Sequence, residues 1–399
     1  MRPTRRLLSL LSLVAFLLLN QPTLASDSED DPEEYEVTAR VARISHLKGT
    51  ANLRRDGDTE WEPAAINFPL VEGDTVATAR ESQIEIQLDA RNFIRLSAES
   101  ALKIVTLREE GVALSIVSGT VSLRLAALEE GRQFFEVDAP KATLAAERTG
   151  LYRVDVSPRG LVKVTVRGGG RARIYSETSG FTLREGRAAE LLTGGENAGD
   201  WNLLAAGAPD LWDVWVEERE QYLAQHQRFD TQYHDPYVWG SEDLDSYGAW
   251  NYTTDYGWLW RPHASSISGY QEWAPYRFGN WVWCPPYGWT WVGYEPWGWA
   301  PYHYGRWVYY NNHWAWCPRS SYYRQRSWWR PALVAFNISF GDNIYWYPLS
   351  YHHRDPHARS RHREHSPRIR PDYHSLWRSH PGSALSVEAC KLAVSLIVV

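Results

Sequence analysis

The sequence predicts a mostly β protein: an all-β domain of sandwich or rolled-solenoid type, one connecting helix, and a domain of tryptophan-rich β-hairpin repeats. Three observations carry this. Apolar and polar residues alternate with period two through residues 41–195, as where Ile84, Ile86 and Leu88 interleave with Gln83, Glu85 and Gln87. A helical pattern is confined to residues 209–229. And 17 of the 22 tryptophans fall between Trp239 and Trp346, in a recurring arrangement.

From the N-terminus, residues 1–25 read as a signal peptide. Arg2, Arg5 and Arg6 precede an apolar run from Leu7 to Leu19, and Thr23 and Ala25 suit cleavage before Ser26. A run of this length is short for a bilayer span. Export to the periplasm or cell surface is expected, with no stable transmembrane span after cleavage. Residues 26–40 carry Asp27, Glu29, Asp30, Asp31, Glu33, Glu34 and Glu36, a like-charge run with too little apolar surface to fold, and read as an acidic linker.

In residues 41–195 the alternation recurs at Val121, Leu123 and Leu125, at Val154 and Val156, and at Val162, Val164 and Val166. It puts one face of each strand in a core and the other in water. Turn residues punctuate it at Asp56-Gly57, Glu72-Gly73-Asp74, Ser118-Gly119 and Pro158-Arg159-Gly160. Three segments carry a resemblance. Leu70-Val71-Glu72-Gly73-Asp74-Thr75-Val76-Ala77-Thr78 is similar to an L-x-x-G-D-x-V-x-T opening. Phe134-Phe135-Glu136-Val137-Asp138-Ala139-Pro140 is similar to an F-x-V-x-T-P strand. Ala146 to Val154 stands where a V-R-G-T-x-F-x-V segment is usual, with Thr149-Gly150 in inverted order. Together they resemble the FecR family. That resemblance implies a FecR-like β-roll or solenoid-type module outside the cytoplasm, whose best-known members relay a ligand signal to a membrane partner. Those relays use a cytoplasmic segment and a membrane helix ahead of the module, and neither is expected with six residues before the apolar run.

Residues 196–230 hold the connecting helix. Asp210 can cap it, Leu211, Trp212, Val214, Trp215, Tyr222 and Phe229 share one face, and Glu217, Glu218, Arg219 and Glu220 are expected in water. Residues 231–350 contain three copies of one unit, aromatic-Gly-x-Trp, a short gap, then Trp-x-Trp. Tyr247-Gly248-Ala249-Trp250 precedes Trp258 and Trp260; Phe278-Gly279-Asn280-Trp281 precedes Trp289 and Trp291; Tyr304-Gly305-Arg306-Trp307 precedes Trp314 and Trp316. Trp297-Gly298-Trp299 lies between the last two copies. Trp-x-Trp on a strand sets both indoles on one face, and the intervening Gly and Asn suit a hairpin turn. The string from Trp289 to Trp307, with Arg330 to Val334 and Tyr345 to Leu349 as closing strands, resembles the Tyr/Trp-rich domain of unknown function 6600.

Trp258, Trp260, Trp289, Trp291, Trp297, Trp299, Trp307, Trp314 and Trp316 are candidate stacking residues for an envelope glycan or a protein partner. The competing reading is that these indoles only pack a small sheet poor in Leu and Ile. Cys284 and Cys317 each follow a Trp-x-Trp-type stretch and are a candidate disulfide; Cys390 is left over. His303 and His313 read as hairpin polar residues, not metal ligands. Nucleic acid is not expected, because a net charge of −6 supplies no basic groove. No catalytic motif, metal site or cofactor fingerprint stands out, so the chain reads as a non-enzyme. Residues 351–399 form a His/Arg-rich tail expected to be disordered. Two functions fit: a structural or interaction protein of the envelope with an aromatic face, or a FecR-type signalling component that senses a ligand for a membrane partner.

Overall fold

A computed structural model describes residues 40–351 apart from 178, 195–198, 228–231, 320–326, 339–343 and 350. The expected signal peptide, nearly all of the acidic linker, the tail beyond Tyr351, Phe229 and Cys390 lie outside the described residues.

The alternating segments become seventeen strands. They are Ala42–Lys48 (β1), Ala51–Arg54 (β2), Glu62–Pro63 (β3), Pro69–Leu70 (β4), Thr75–Thr78 (β5), Gln83–Gln87 (β6), Asn92–Leu96 (β7), Ala101–Arg108 (β8) and Gly111–Leu125 (β9). Then come Phe134–Ala139 (β10), Ala142–Ala146 (β11), Gly150–Val156 (β12), Leu161–Arg167 (β13), Arg171–Ser176 (β14), Gly180–Arg184 (β15), Arg187–Leu192 (β16) and Trp201–Ala205 (β17). The last lies beyond residue 195, inside the stretch expected only to connect.

Two sheets share β9. Its first half pairs with β8 and, in parallel, with β10. Its second half pairs with β7 and β12. One sheet therefore runs β3-β2-β5-β8-β9-β10-β11-β14-β15. The other runs β4-β1-β6-β7-β9-β12-β13-β16-β17. Between them lies one aliphatic core, including Ile44, Leu53, Ile86, Ile94, Leu114, Val154, Val164 and Ile174. Each such side chain contributes roughly 1.5–3 kcal/mol on burial.

The outer face of β6 and β7 does not meet water as alternation predicts: Glu85, Gln87 and Arg95 are all fully buried. The helix Leu211–His226 (α1) covers part of that face. Asp210 caps it in a box closed reciprocally with Asp213. Trp212, Val216 and Leu223 face inward, while Leu211 and Val214 are exposed, against the expected apolar face. Arg219 and Glu220 are not solvent groups either. Glu85 takes Arg95 at 2.8 Å and Arg219 at 2.7 Å, and Glu220 pairs with Arg95 at 2.5 Å and with Arg124. The Trp212 indole N–H donates to Ser122 Oγ at 2.8 Å. A polar strand face is thus buried by charge pairing, which only a third layer could require.

Beyond α1, short helices Leu244–Tyr247 (α2), Ala264–Ile267 (α3) and Ala300–His303 (α4) separate four hairpins. These are Gly248–Thr253 with Gly257–Pro262 (β18, β19), Gly279–Cys284 with Gly288–Gly293 (β20, β21), Arg306–Tyr310 with His313–Cys317 (β22, β23) and Val334–Ile338 with Ile344–Pro348 (β24, β25). The first and third join through the Trp260–Trp316 pair into one sheet, β18-β19-β23-β22.

Candidate functional site

The three sequence copies fold to one plan. In each hairpin two aromatic rungs cross the strands on the same face. The inner rungs are Trp250–Trp260, Trp281–Trp291 and Trp307–Trp316; the outer ones, toward the turn, are Tyr252–Trp258, Trp283–Trp289 and Tyr309–Trp314. The turns differ. The first two have three-residue loops closed by Gly257 and Gly288 at φ of 73° and 81°; the third is the pair Asn311-Asn312 at 49° and 62°. Gly and Asn are the residues that take this left-handed backbone at low cost.

The motif's glycine has a packing reason. A Cβ on Gly248 would stand 2.4 Å from Arg261 O and 2.5 Å from Cε2 and Cζ2 of Trp260; on Gly279, 2.4 Å from Val292 O and 2.6 Å from Cζ2 of Trp291; on Gly305, 2.3 Å from Cys317 O and 2.7 Å from Nε1 of Trp316. The second Trp of each Trp-x-Trp lies flat over the glycine of its own copy, where no side chain fits. Aromatic-Gly-x-Trp and Trp-x-Trp are therefore two halves of one contact.

The inner rungs feed an interior built from rings. Trp260 meets Trp297 at 4.9 Å between centroids, Trp273 lies 5.7 Å from Trp297 and 5.6 Å from Trp307, and Tyr276 meets Tyr302 at 4.7 Å. Such pairs add about 0.5–1.5 kcal/mol beyond area burial. Several rings spend their polar handles on backbone: Trp260 donates to Leu244 O at 3.0 Å, Trp307 to Pro301 O at 2.8 Å, Trp316 to Tyr304 O at 2.8 Å, and Tyr276 OH to Tyr302 O at 2.7 Å. Sequence reasoning missed Tyr276 and Tyr302, although Trp-Ala-Pro-Tyr occurs twice, at 273–276 and 299–302.

It also missed Glu295, a fully buried carboxyl among these rings. One oxygen accepts from the Trp273 indole at 2.6 Å and from Tyr302 OH at 2.8 Å; the other has no hydrogen-bond partner among the described residues. Burial pushes its pKa up to about 7, against the pull of those two donors. Tyr302 is in turn driven well above its ordinary range by burial and by the carboxyl beside it.

The nine tryptophans expected on a stacking face divide unevenly. Trp260, Trp291, Trp297, Trp299, Trp307 and Trp316 are buried, their faces taken by neighbouring rings; only Trp258, Trp289 and Trp314 are half-exposed. Within the strands of the three hairpins the large exposed aromatics are instead Tyr252 at 67%, Trp283 at 45% and Tyr309 at 37%, all in outer rungs; Tyr294, one residue past β21, is exposed as well. The expected disulfide is not formed. Cys284 and Cys317 are free thiols in separate clusters, Cys284 with Val41, Val71 and Trp299, Cys317 with Leu259, Val308 and Ala315. Burial pushes both thiols up to about 12. His303 is buried, with Nδ1 2.8 Å from Arg330 O, and burial lowers it to about 3; His313 is exposed at the start of β23.

Where the module meets the β domain, Arg43 of β1 is 1% exposed. Its guanidinium donates to Gln87 at 2.7 Å, Asn67 at 2.8 Å and Glu242 at 2.6 Å, with Asp243 at 3.6 Å. Asn67 Nδ2 donates onward to the carbonyls of Glu295 at 3.3 Å and Pro296 at 3.0 Å. Asp243 accepts from Tyr222 OH of α1 at 2.9 Å. The one local hint was an arginine inside the apolar run Val41-Ala42-Arg43-Ile44, which has a place in a core only when paired.

Comparison with known proteins agrees with the two resemblances. Residues 74–170 match the FecR protein family, and residues 241–353 match the Family of unknown function (DUF6600), so a FecR-type domain is followed by a DUF6600 module. No curated protein matches the sequence. Two crystal structures of a candidate anti-sigma factor from Parabacteroides distasonis ATCC 8503 are similar, each at 13% identity and a TM-score of 0.31. The 1.65 Å structure is matched over 36% of this chain and 64% of its own length, less than two thirds; the 2.50 Å structure over 47% and 98%. Among the described residues no helix is long and apolar enough to cross a membrane.

Proposed function

We propose that this chain, which joins a FecR-type domain to a DUF6600 module, is a non-catalytic signalling component of the bacterial envelope. The aromatic module meets a ligand outside the cytoplasm, and the FecR-type domain passes that event to a membrane partner. The observation that carries this reading is the buried junction at Arg43. It ties Gln87 and Asn67 of the β domain to Glu242 and the Glu295 loop of the module, so a shift in one body loads the other. An uncompensated buried charge costs about 3–5 kcal/mol, enough to make the two move as one. The FecR match supports the relay side.

The second reading is a purely structural envelope protein. It is favoured by the burial of six of the nine tryptophans expected on a ligand face. Cells lacking the gene, cells carrying Glu242→Arg and unmodified cells separate the two. A relay predicts that the charge-reversed protein accumulates outside the cytoplasm but reproduces the transcript changes of the deletion. Transcript levels unmoved by the deletion would leave the structural reading.

A further inference from the structure

We infer that the three hairpin tips are stacking sites for an uncharged polysaccharide. The inference rests on reading the module as the ligand-meeting half of the protein, and it starts from a residue of the packing argument. Core packing accounts for the inner rungs, whose members Trp260, Trp291 and Trp316 are at most 1% exposed. It does not account for the outer ones. Tyr252, Trp283 and Tyr309 stay open to solvent, yet the position is aromatic in all three copies.

Their geometry is shared as well. Tyr252–Trp258, Trp283–Trp289 and Tyr309–Trp314 are edge-to-face pairs with centroids 5.5, 5.6 and 5.3 Å apart and planes at 73°, 74° and 68°. The turns beyond them are of two kinds: the three-residue Thr254-Asp255-Tyr256 and Pro285-Pro286-Tyr287, each closed by glycine, and the two-residue Asn311-Asn312. Turn chemistry therefore does not impose the pair. In an edge-to-face pair one ring offers its edge, which leaves that ring's own faces free of its partner. A ring face open to water, with polar groups at its rim, fits the C–H face of a pyranose.

The rim selects among ligands. Residues 251–258, 283–289 and 309–314 contain no Lys or Arg and a single carboxylate, Asp255. Nothing there holds a phosphate, a sulfate or a nucleic-acid backbone. The exposed polar groups are Asn251, Thr254 and Asp255 at the first tip and Asn311, Asn312 and His313 at the third, mostly amides and hydroxyls that can hydrogen-bond to sugar hydroxyls. The second tip offers exposed Trp283, Pro285 and Pro286, and so stacking alone. β19 and β23 pair antiparallel and each starts at its turn, so the first and third tips point to opposite ends of their shared sheet and the tips act as separate sites.

The test uses the purified full-length protein and chitohexaose, a neutral oligosaccharide, followed by calorimetric titration. Heparin serves as the anionic probe and a proline-rich peptide as the protein-like one. Tyr252→Ala, Trp283→Ala and Tyr309→Ala are each expected to remove one site from the titration stoichiometry, and the triple variant to abolish binding. Tyr252→Phe and Tyr309→Phe keep the ring and are expected to bind normally, which separates stacking from unfolding. No binding by the unmodified protein, full binding by the triple variant, or preference for heparin or the peptide overturns the inference. The relay is judged separately: a transcript response that needs the Arg43 junction survives a failure to bind chitohexaose, and chitohexaose binding survives the absence of that response.

Discussion

The β domain fills its interior with Ile, Leu and Val on strictly alternating strands, whereas the aromatic module fills its own with Trp and Tyr and carries polar atoms inward with them. Aliphatic side chains ask nothing of their neighbours except volume. Indoles and phenols ask for acceptors, and backbone carbonyls such as Leu244 O, Pro301 O and Tyr304 O supply some of them, while the indole N–H groups of Trp281, Trp291, Trp297, Trp299 and Trp329 have no hydrogen-bond partner among the described residues. The aliphatic core is one continuous slab between two sheets. The aromatic one is a set of hairpins whose glycines let rings lie against backbone. A module short of aliphatics can still bury a core with only part of its polar handles placed, ring contacts offsetting the rest.

The largest test of this contrast is truncation. Trp297→Ala, at a ring that touches Trp260, Trp273, Tyr302 and Trp307, is expected to cost about 3–5 kcal/mol in denaturant unfolding, and Leu114→Ala about 2–5. If Trp297→Ala proves the milder, ring contacts are not the module's main support. At the seam, Arg43→Ala leaves Glu242 buried and unpaired and is expected to cost about 3–5 kcal/mol. Replacing Arg43 and Glu242 together by Met and Leu should recover most of that loss, and no recovery would place the strain elsewhere.

Two buried carboxyls, one in each region, should also change stability in opposite directions with pH. Beside them stand an acid limb in the module from His303, held at about 3, and a loss through pH 6 in the β domain from Asp74, raised to about 6. Glu295 folds with a pKa of about 7 against an ordinary 4.5, so its contribution is full below 4.5 and lost as pH rises through 7. That amounts to about 3 kcal/mol. Glu85 is the reverse. Burial opposes its charge, but Arg95 and Arg219 overrule burial and hold it at about 2. Its contribution is full above 4.5 and lost as pH falls toward 2. Unfolding midpoints across pH 3–9 read both limbs. Glu295→Gln should flatten only the alkaline one, and an unchanged alkaline slope would acquit Glu295.

Smaller effects sharpen the hairpin plan. Gly279→Ala pushes a methyl into the Val292 carbonyl and the Trp291 indole and is expected to cost about 1–3 kcal/mol, against about 1 for Gly257→Ala, where space is open and only the backbone angle resists. Equal costs would mean that ring-on-glycine contact is not what the motif encodes. Tyr309→Ala, at an exposed outer rung, should cost no more than about 1 kcal/mol; a larger loss would make that rung structural and weaken its reading as a binding face.

The β strands were legible because period two survives in a domain with one continuous core, and the hairpins because each copy repeats both halves of a contact that lies within one turn. The expected apolar face of α1 failed at Leu211 and Val214, since the helix docks on a charged strand face and Arg219 and Glu220 do much of the docking. The stacking assignment failed for six tryptophans for a related reason. Trp-x-Trp shows that two rings share a strand face, but not which ring lies toward the turn and which beneath the next hairpin.

By itself, then, the sequence determined what neighbouring residues decide: strand periodicity, the helix cap at Asp210, the turns, and the pairing of glycine with indole inside each copy. Only the tertiary structure decided what depends on a third layer. It buried Arg43, Glu85 and Arg95, set Glu295 among rings, left Cys284 and Cys317 apart, and turned Tyr252, Trp283 and Tyr309 to solvent. Local contacts are written within a few residues of chain, whereas burial is a property of what finally packs on top, and no period in the sequence records that.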